Sequence, residues 1–142
     1  MSRSQSGATF AWPVRVYYED TDAGGLVFYA NYLKFMERAR TEWLRSLGFE
    51  QDVLRERDGL LFAVRRAEVD YVRPARFNDA LTVTLDVVHV GGASLDFAQE
   101  VRRDGDAAVC CRGRIKVACI QERTLRPSRI PENLLAEIAD VR

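Results

Sequence analysis

Glu19, Asp20 and Asp22 crowd three carboxylates into the few residues before Gly24-Gly25, and the stretch Tyr17 to Gly25 runs directly into the apolar segment Leu26 to Leu47. Folding alone seldom asks for charge, backbone freedom and a helix start at such density, so the stretch reads as an active site. A carboxylate placed there can serve as nucleophile or general base. The helix start offers unpaired N–H groups and a positive dipole end suited to a developing oxyanion. Gly24 and Gly25 would let the backbone approach a reacting group without a Cβ in the way. The plainer reading of Asp22 is an Asx-turn or helix-cap residue, and on spacing alone that reading comes first. Glu19 and Asp20 read as structural, with either able to orient Asp22. Glu37 is a further carboxylate on the helix, whose plain reading is an intrahelical pair with Arg40 or Thr41.

Several elements must position these groups. Val14, Val16 and Tyr18 alternate with Arg15, Tyr17 and Glu19, which predicts a strand leading into the carboxylates. Tyr32, Met36, Ala39, Trp43 and Leu47 then step by three or four, with Leu33, Phe35 and Leu44 widening the stripe into that of a well-buried helix. Gly48 suits its C-terminal cap and Phe49 the hydrophobic contact beyond. A short helix is expected over Glu50 to Arg57, stopped at Asp58-Gly59. Phe62 and Val64 share one parity while Ala67, Val69 and Tyr71 share the other, so one bent strand with a bulge at Arg65-Arg66 is expected, ending by Pro74. Leu81 to Val87, Leu95 to Val101 and Val109 to Cys119 alternate as three more strands, turned at Gly91-Gly92 and Asp104-Gly105. Glu132 to Ile138 predicts a terminal helix. This is an α+β order, an antiparallel sheet wrapped around one long helix, with edges that call for a second subunit.

At 142 residues, 47% of them hydrophobic and 10% aromatic, the chain has the size and apolar content of a single domain, with its core over about 13–130 and a flexible N-terminus. Twenty-one basic and 21 acidic residues cancel, which disfavours a nucleic acid or an acidic membrane surface as partner. Neither a secretory signal nor an apolar run of membrane-spanning length stands out, so a cytoplasmic protein is expected. Cys110, Cys111 and Cys119 suit a reducing compartment rather than a disulfide framework. His89 is the one histidine and no Cys-x-x-Cys pair occurs, so neither a metal site nor a cofactor is expected. His89 and Cys110 read as ordinary strand residues.

The ordered run Tyr18-Glu19-Asp20-Thr21-Asp22-Ala23-Gly24-Gly25-Leu26-Val27-Phe28-Tyr29-Ala30-Asn31-Tyr32, followed by Glu37-Arg38-Ala39-Arg40, resembles the signature of the hotdog-fold acyl-CoA thioesterases. The likeness is strongest to the branch encoded beside the Tol-Pal genes, related to 4-hydroxybenzoyl-CoA thioesterase. It continues through Val64-Arg65, Tyr71-x-x-Pro74-Ala75-Arg76 and Asp79, covering about residues 13–130. The resemblance implies a hotdog homodimer or homotetramer with interfacial sites, hydrolysing acyl-CoA or acyl-carrier-protein thioesters. It implies that Asp22 attacks the thioester or activates water, and that the Tyr29 backbone N–H polarises the carbonyl. Gly24, Gly25, Arg65 and Arg76 are the expected substrate-binding residues. Arg66, Arg73 and the Arg112-Arg114-Lys116 stripe are further phosphate candidates, although alternating basic residues on a strand are ordinarily a solvated face. Two departures stand out. Tyr29 occupies a position where that branch commonly has histidine, and Gly91 one where a basic residue often meets the CoA phosphates.

Two other functions compete. A hotdog dehydratase wants a histidine beside a carboxylate, and His89 lies in a strand away from any such motif. A non-catalytic acyl-CoA or acyl-carrier-protein binding scaffold is the alternative from another class, against which Asp22 and the double glycine weigh.

Overall fold

The computed structural model describes residues 9–141. Strand β1, Phe10–Arg15, lies antiparallel to β3, Ala80–Val90, with Phe10 opposite Leu85 and Arg15 opposite Ala80. The sheet continues through β4, Ser94–Arg103, and β5, Val109–Gln121, to β2, Leu60–Tyr71, in the order β1-β3-β4-β5-β2 with every pairing antiparallel. Pro13 sits within β1, which an edge strand tolerates because half of its N–H groups face no neighbour. The bulge falls where the change of parity predicts it, between Val64 and Arg66.

The first strand departs from the expected alternation. Val14 and Val16 are buried, but Tyr18 is 76% exposed and belongs to a 3-10 turn over Tyr18–Asp20. Asp20 is the cause: its N–H donates to the Tyr17 carbonyl (3.0 Å) and its Oδ2 accepts the Tyr17 N–H (2.9 Å), so a local turn overrides the strand.

Helix α1, Asn31–Ser46, lies across one face of the sheet, burying Tyr32, Phe35, Met36, Ala39, Trp43 and Leu44. Leu33, expected in the buried stripe, is 37% exposed. The contact with β5 is close: a Cβ on Gly113 would come within 2.7 Å of Met36 Sδ, so any larger residue there would have to displace the Met36 side chain. Toward β4, Gln99 Nε2 donates to the Met36 carbonyl (3.1 Å), and the Trp43 ring meets Phe97 edge-on at 5.3 Å. At the far end Gly48 takes φ +91°; its N–H donates to the Arg45 carbonyl (2.9 Å) and the Phe49 N–H to the Leu44 carbonyl (3.0 Å). This is a Schellman cap, completed by burial of Phe49. Helix α2, Gln51–Asp58, ends at left-handed Gly59 and packs on β2; α3, Glu132–Val141, buries Leu134 and Ile138. Among the described residues no helix is long and apolar enough to cross a membrane. Of the N-terminal stretch expected to be flexible, residues 1–8 lie outside those described.

Candidate active site

The carboxylate loop is a miniature hairpin. The Asp22 N–H donates to the Leu26 carbonyl (2.8 Å), the Gly25 N–H to the Asp22 carbonyl (3.0 Å), and Thr21 bridges Val27. Three loop residues with the last left-handed form a favoured hairpin connection, and Gly25, at φ +78°, fills that position. Gly24 has no such requirement; a Cβ there would stand 3.4 Å from Asp22 Oδ1.

Asp22 is exposed, and its Oδ1 accepts the N–H groups of Gly24 (2.9 Å) and Leu26 (3.3 Å). The Asx-turn reading is therefore realised. It is compatible with chemistry, since Oδ1 takes both of these bonds and Oδ2 accepts none from the described residues.

On the exit side the Phe28 N–H donates to the Asp20 carbonyl (2.9 Å) and the Asn31 N–H to the Phe28 carbonyl (2.8 Å). Tyr29 precedes the first helical residue by two positions, and among the described residues its main-chain N–H has no acceptor. Its side chain is 63% exposed, 4.6 Å from the Phe28 ring and edge-on to Tyr71 at 6.2 Å. Tyr71 also meets Tyr32 at 5.7 Å, and partial burial raises the pKa of its phenol. Tyr32 is buried, its hydroxyl accepting the Ala75 N–H (2.9 Å); burial raises its pKa further than that bond lowers it.

The segment after β2 holds the hairpin from outside. The Val27 N–H donates to the Ala75 carbonyl (2.9 Å), the Phe77 N–H to the Gly25 carbonyl (3.0 Å), and Leu26 bridges Arg76. Asp22, Gly24, Gly25, Tyr29 and Arg76 thus belong to one local assembly. Arg65 does not: it projects from the β2 bulge, six residues and about 20 Å of strand from Tyr71.

Glu37 makes no direct ion pair among the described residues; of the expected intrahelical pairing there remains an attraction to Arg40, whose pKa the Glu37 charge raises against the lowering by burial. Arg40 turns instead toward the sheet, where Nη1 donates to Gln99 Oε1 (2.9 Å) and burial lowers its pKa, while Thr41 accepts from Gln51 Nε2 (3.1 Å). Glu37, Arg40 and Thr41 line a cleft of about 200 Å³ with Trp43, Phe62 and Phe97. Burial pushes the Cys111 thiol up to about 12 and also raises Cys110 and Cys119, so none is poised as a thiolate nucleophile. Sequence reasoning passed over the Asp20–Asn31 contact and the Tyr71 contacts. The first has no local signature, and the second follows only once the β2 parity is mapped onto the fold.

A model of the thioesterase-like superfamily matches residues 16–138. The acyl-CoA thioesterase YbgC of Haemophilus influenzae is 43% identical over 127 residues, covering 89% of this chain and 92% of that protein. The acyl-CoA thioester hydrolase YbgC of Escherichia coli is 40% identical over 128 residues, covering 90% and 94%. Among solved structures, a probable thioesterase from Bartonella henselae superposes with a TM-score of 0.82 at 33% identity, covering 87% of this chain and all of that one.

Proposed function

Because the chain belongs to the thioesterase-like superfamily, we propose that it hydrolyses acyl-CoA thioesters to the free acid and CoA, with Asp22 as nucleophile or general base and the Tyr29 main-chain N–H as oxyanion donor. One observation carries the assignment of roles. A single hairpin presents a carboxylate steadied through Oδ1, with no partner on Oδ2 among the described residues, and leads directly to a main-chain N–H that likewise has no acceptor among them. Acyl transfer needs both parts: a group to attack the carbonyl or activate water, and a donor for the charge that develops on its oxygen. Gly24, Gly25 and Arg76 border the same hairpin and would receive the thioester and its phosphates. Arg65 would reach a site only from a second subunit, which fits a homo-oligomer with interfacial sites.

The test is a hydrolysis panel over short, long and aromatic acyl-CoAs with release of the free thiol measured. Asp22→Asn keeps the shape and removes the charge, so kcat falls at least about a hundredfold with the fold preserved. Near-native turnover in folded Asp22→Asn refutes the role of Asp22 and turns attention to Glu37. Binding of acyl-CoA without thiol release by the native protein supports the scaffold reading instead.

A further inference from the structure

We propose that Asp20 and Asn31 are positioning residues whose buried hydrogen bond sets the Tyr29 main-chain N–H relative to the Asp22 carboxylate; the proposal rests on the thioesterase reading above. Asp20 is 3% exposed and Asn31 6%. The Asp20 carboxylate gathers donors from both ends of the hairpin: Oδ2 accepts the Tyr17 N–H at 2.9 Å on the entry side, and Oδ1 accepts Asn31 Nδ2 at 2.8 Å on the exit side. Its carbonyl adds the Phe28 N–H at 2.9 Å. One residue therefore closes the base of a loop that carries Asp22 in its turn and delivers Tyr29 just beyond its last pairing.

A buried carboxylate is a poor choice for stability alone, since an apolar residue there would pack without desolvating a charge. It does supply charge-assisted bonds of narrow geometry, as a site held to fractions of an ångström requires. The helix start points the same way. Ala30 occupies the N-cap position, among the poorest residues for it, and no side chain caps the helix there. Asn31 sends its amide back to Asp20. The chain thus orients the entry to α1 through a side-chain bond that leaves the Tyr29 N–H unoccupied.

The experiment is a polarity swap. Asp20→Asn sets an amide donor against either Tyr17 N–H or the Asn31 amide, and Asn31→Asp sets one carboxylate against another. In Asp20→Asn/Asn31→Asp the new amide accepts from Tyr17 and donates to the new carboxylate, restoring every pairing. Asn31→Ala removes the donor without adding a competing donor or charge. Each single variant, folded by circular dichroism, loses about tenfold to a hundredfold in kcat with KM held within about threefold, and loses hydrogen-exchange protection at the Phe28 amide. The swap recovers both. Native kcat in the folded single variants, a loss confined to KM, or a folded swap that stays slow overturns the proposal. Failure of all four variants to fold also overturns it, by making the clasp a folding element. The exchange measurement needs no substrate, so a native protein that hydrolyses nothing refutes the thioesterase reading, whereas indifferent Phe28 protection refutes the clasp.

Discussion

At position 29 the phenol and the peptide N–H make separate claims on the chemistry. The ring is exposed and stands against Phe28 and Tyr71, while the N–H has no acceptor among the described residues. If the main chain holds the oxyanion, Tyr29→Phe removes only a hydroxyl and Tyr29→His restores the residue common in the resembling branch, and both keep most of the turnover. A loss of about tenfold to a hundredfold in kcat for folded Tyr29→Phe, measured at steady state on one good substrate, would instead assign the phenol a part. Turn chemistry made this scale partly legible: the Asx-turn expected at Asp22 is present, while the glycines, expected to allow close approach of a reacting group, serve the turn itself, with Gly25 left-handed. Partner choice across distance was not legible. Asn31 finds Asp20 eleven residues back, and Arg40 takes Gln99 from the sheet in place of its helical neighbour Glu37. In each case tertiary packing decides between donors and acceptors that the sequence offers equally.

Among the elements, the bulge in β2 and the Schellman cap of α1 could be read directly, since a switch of parity and a Gly-Phe pair after an apolar stripe each have one geometric solution. The end of β1 could not: the strand stops at Arg15, and Asp20 holds Tyr18–Asp20 in a 3-10 turn where alternation would have continued it. The carboxylate hairpin offers a test at this scale. Gly25 lies at φ +78° and Gly24 outside the left-handed region, so Gly25→Ala costs about 1 kcal/mol in urea unfolding and displaces the loop, while Gly24→Ala is close to neutral for stability. Equal destabilisation by the two substitutions would contradict the hairpin geometry.

For the whole molecule, the β3-β4-β5 meander follows from its Gly-Gly and Asp-Gly turns, but the crossing of β2 to the far side of β5 has no local signal. That crossing leaves β2 as a twelve-residue edge on which Val64 is 52% and Tyr71 49% exposed. The opposite edge, β1, is half as long and contains Pro13. Open edges of this kind are ordinarily paired, and β2 is the better suited of the two. The protein should therefore sediment as at least a dimer at micromolar concentration. A fully active monomer would rule out a site shared between subunits.

The Tyr29 N–H, without an acceptor among the described residues, has a bearing on how such a protein can change over time. A donor that belongs to the main chain is encoded by no particular codon; every residue but proline retains it. The side chain at position 29 can then drift through histidine, tyrosine or other residues with the proposed oxyanion contact intact throughout. On the proposed roles, changes of side chain and the chemistry of the reaction would fall on different atoms of one residue.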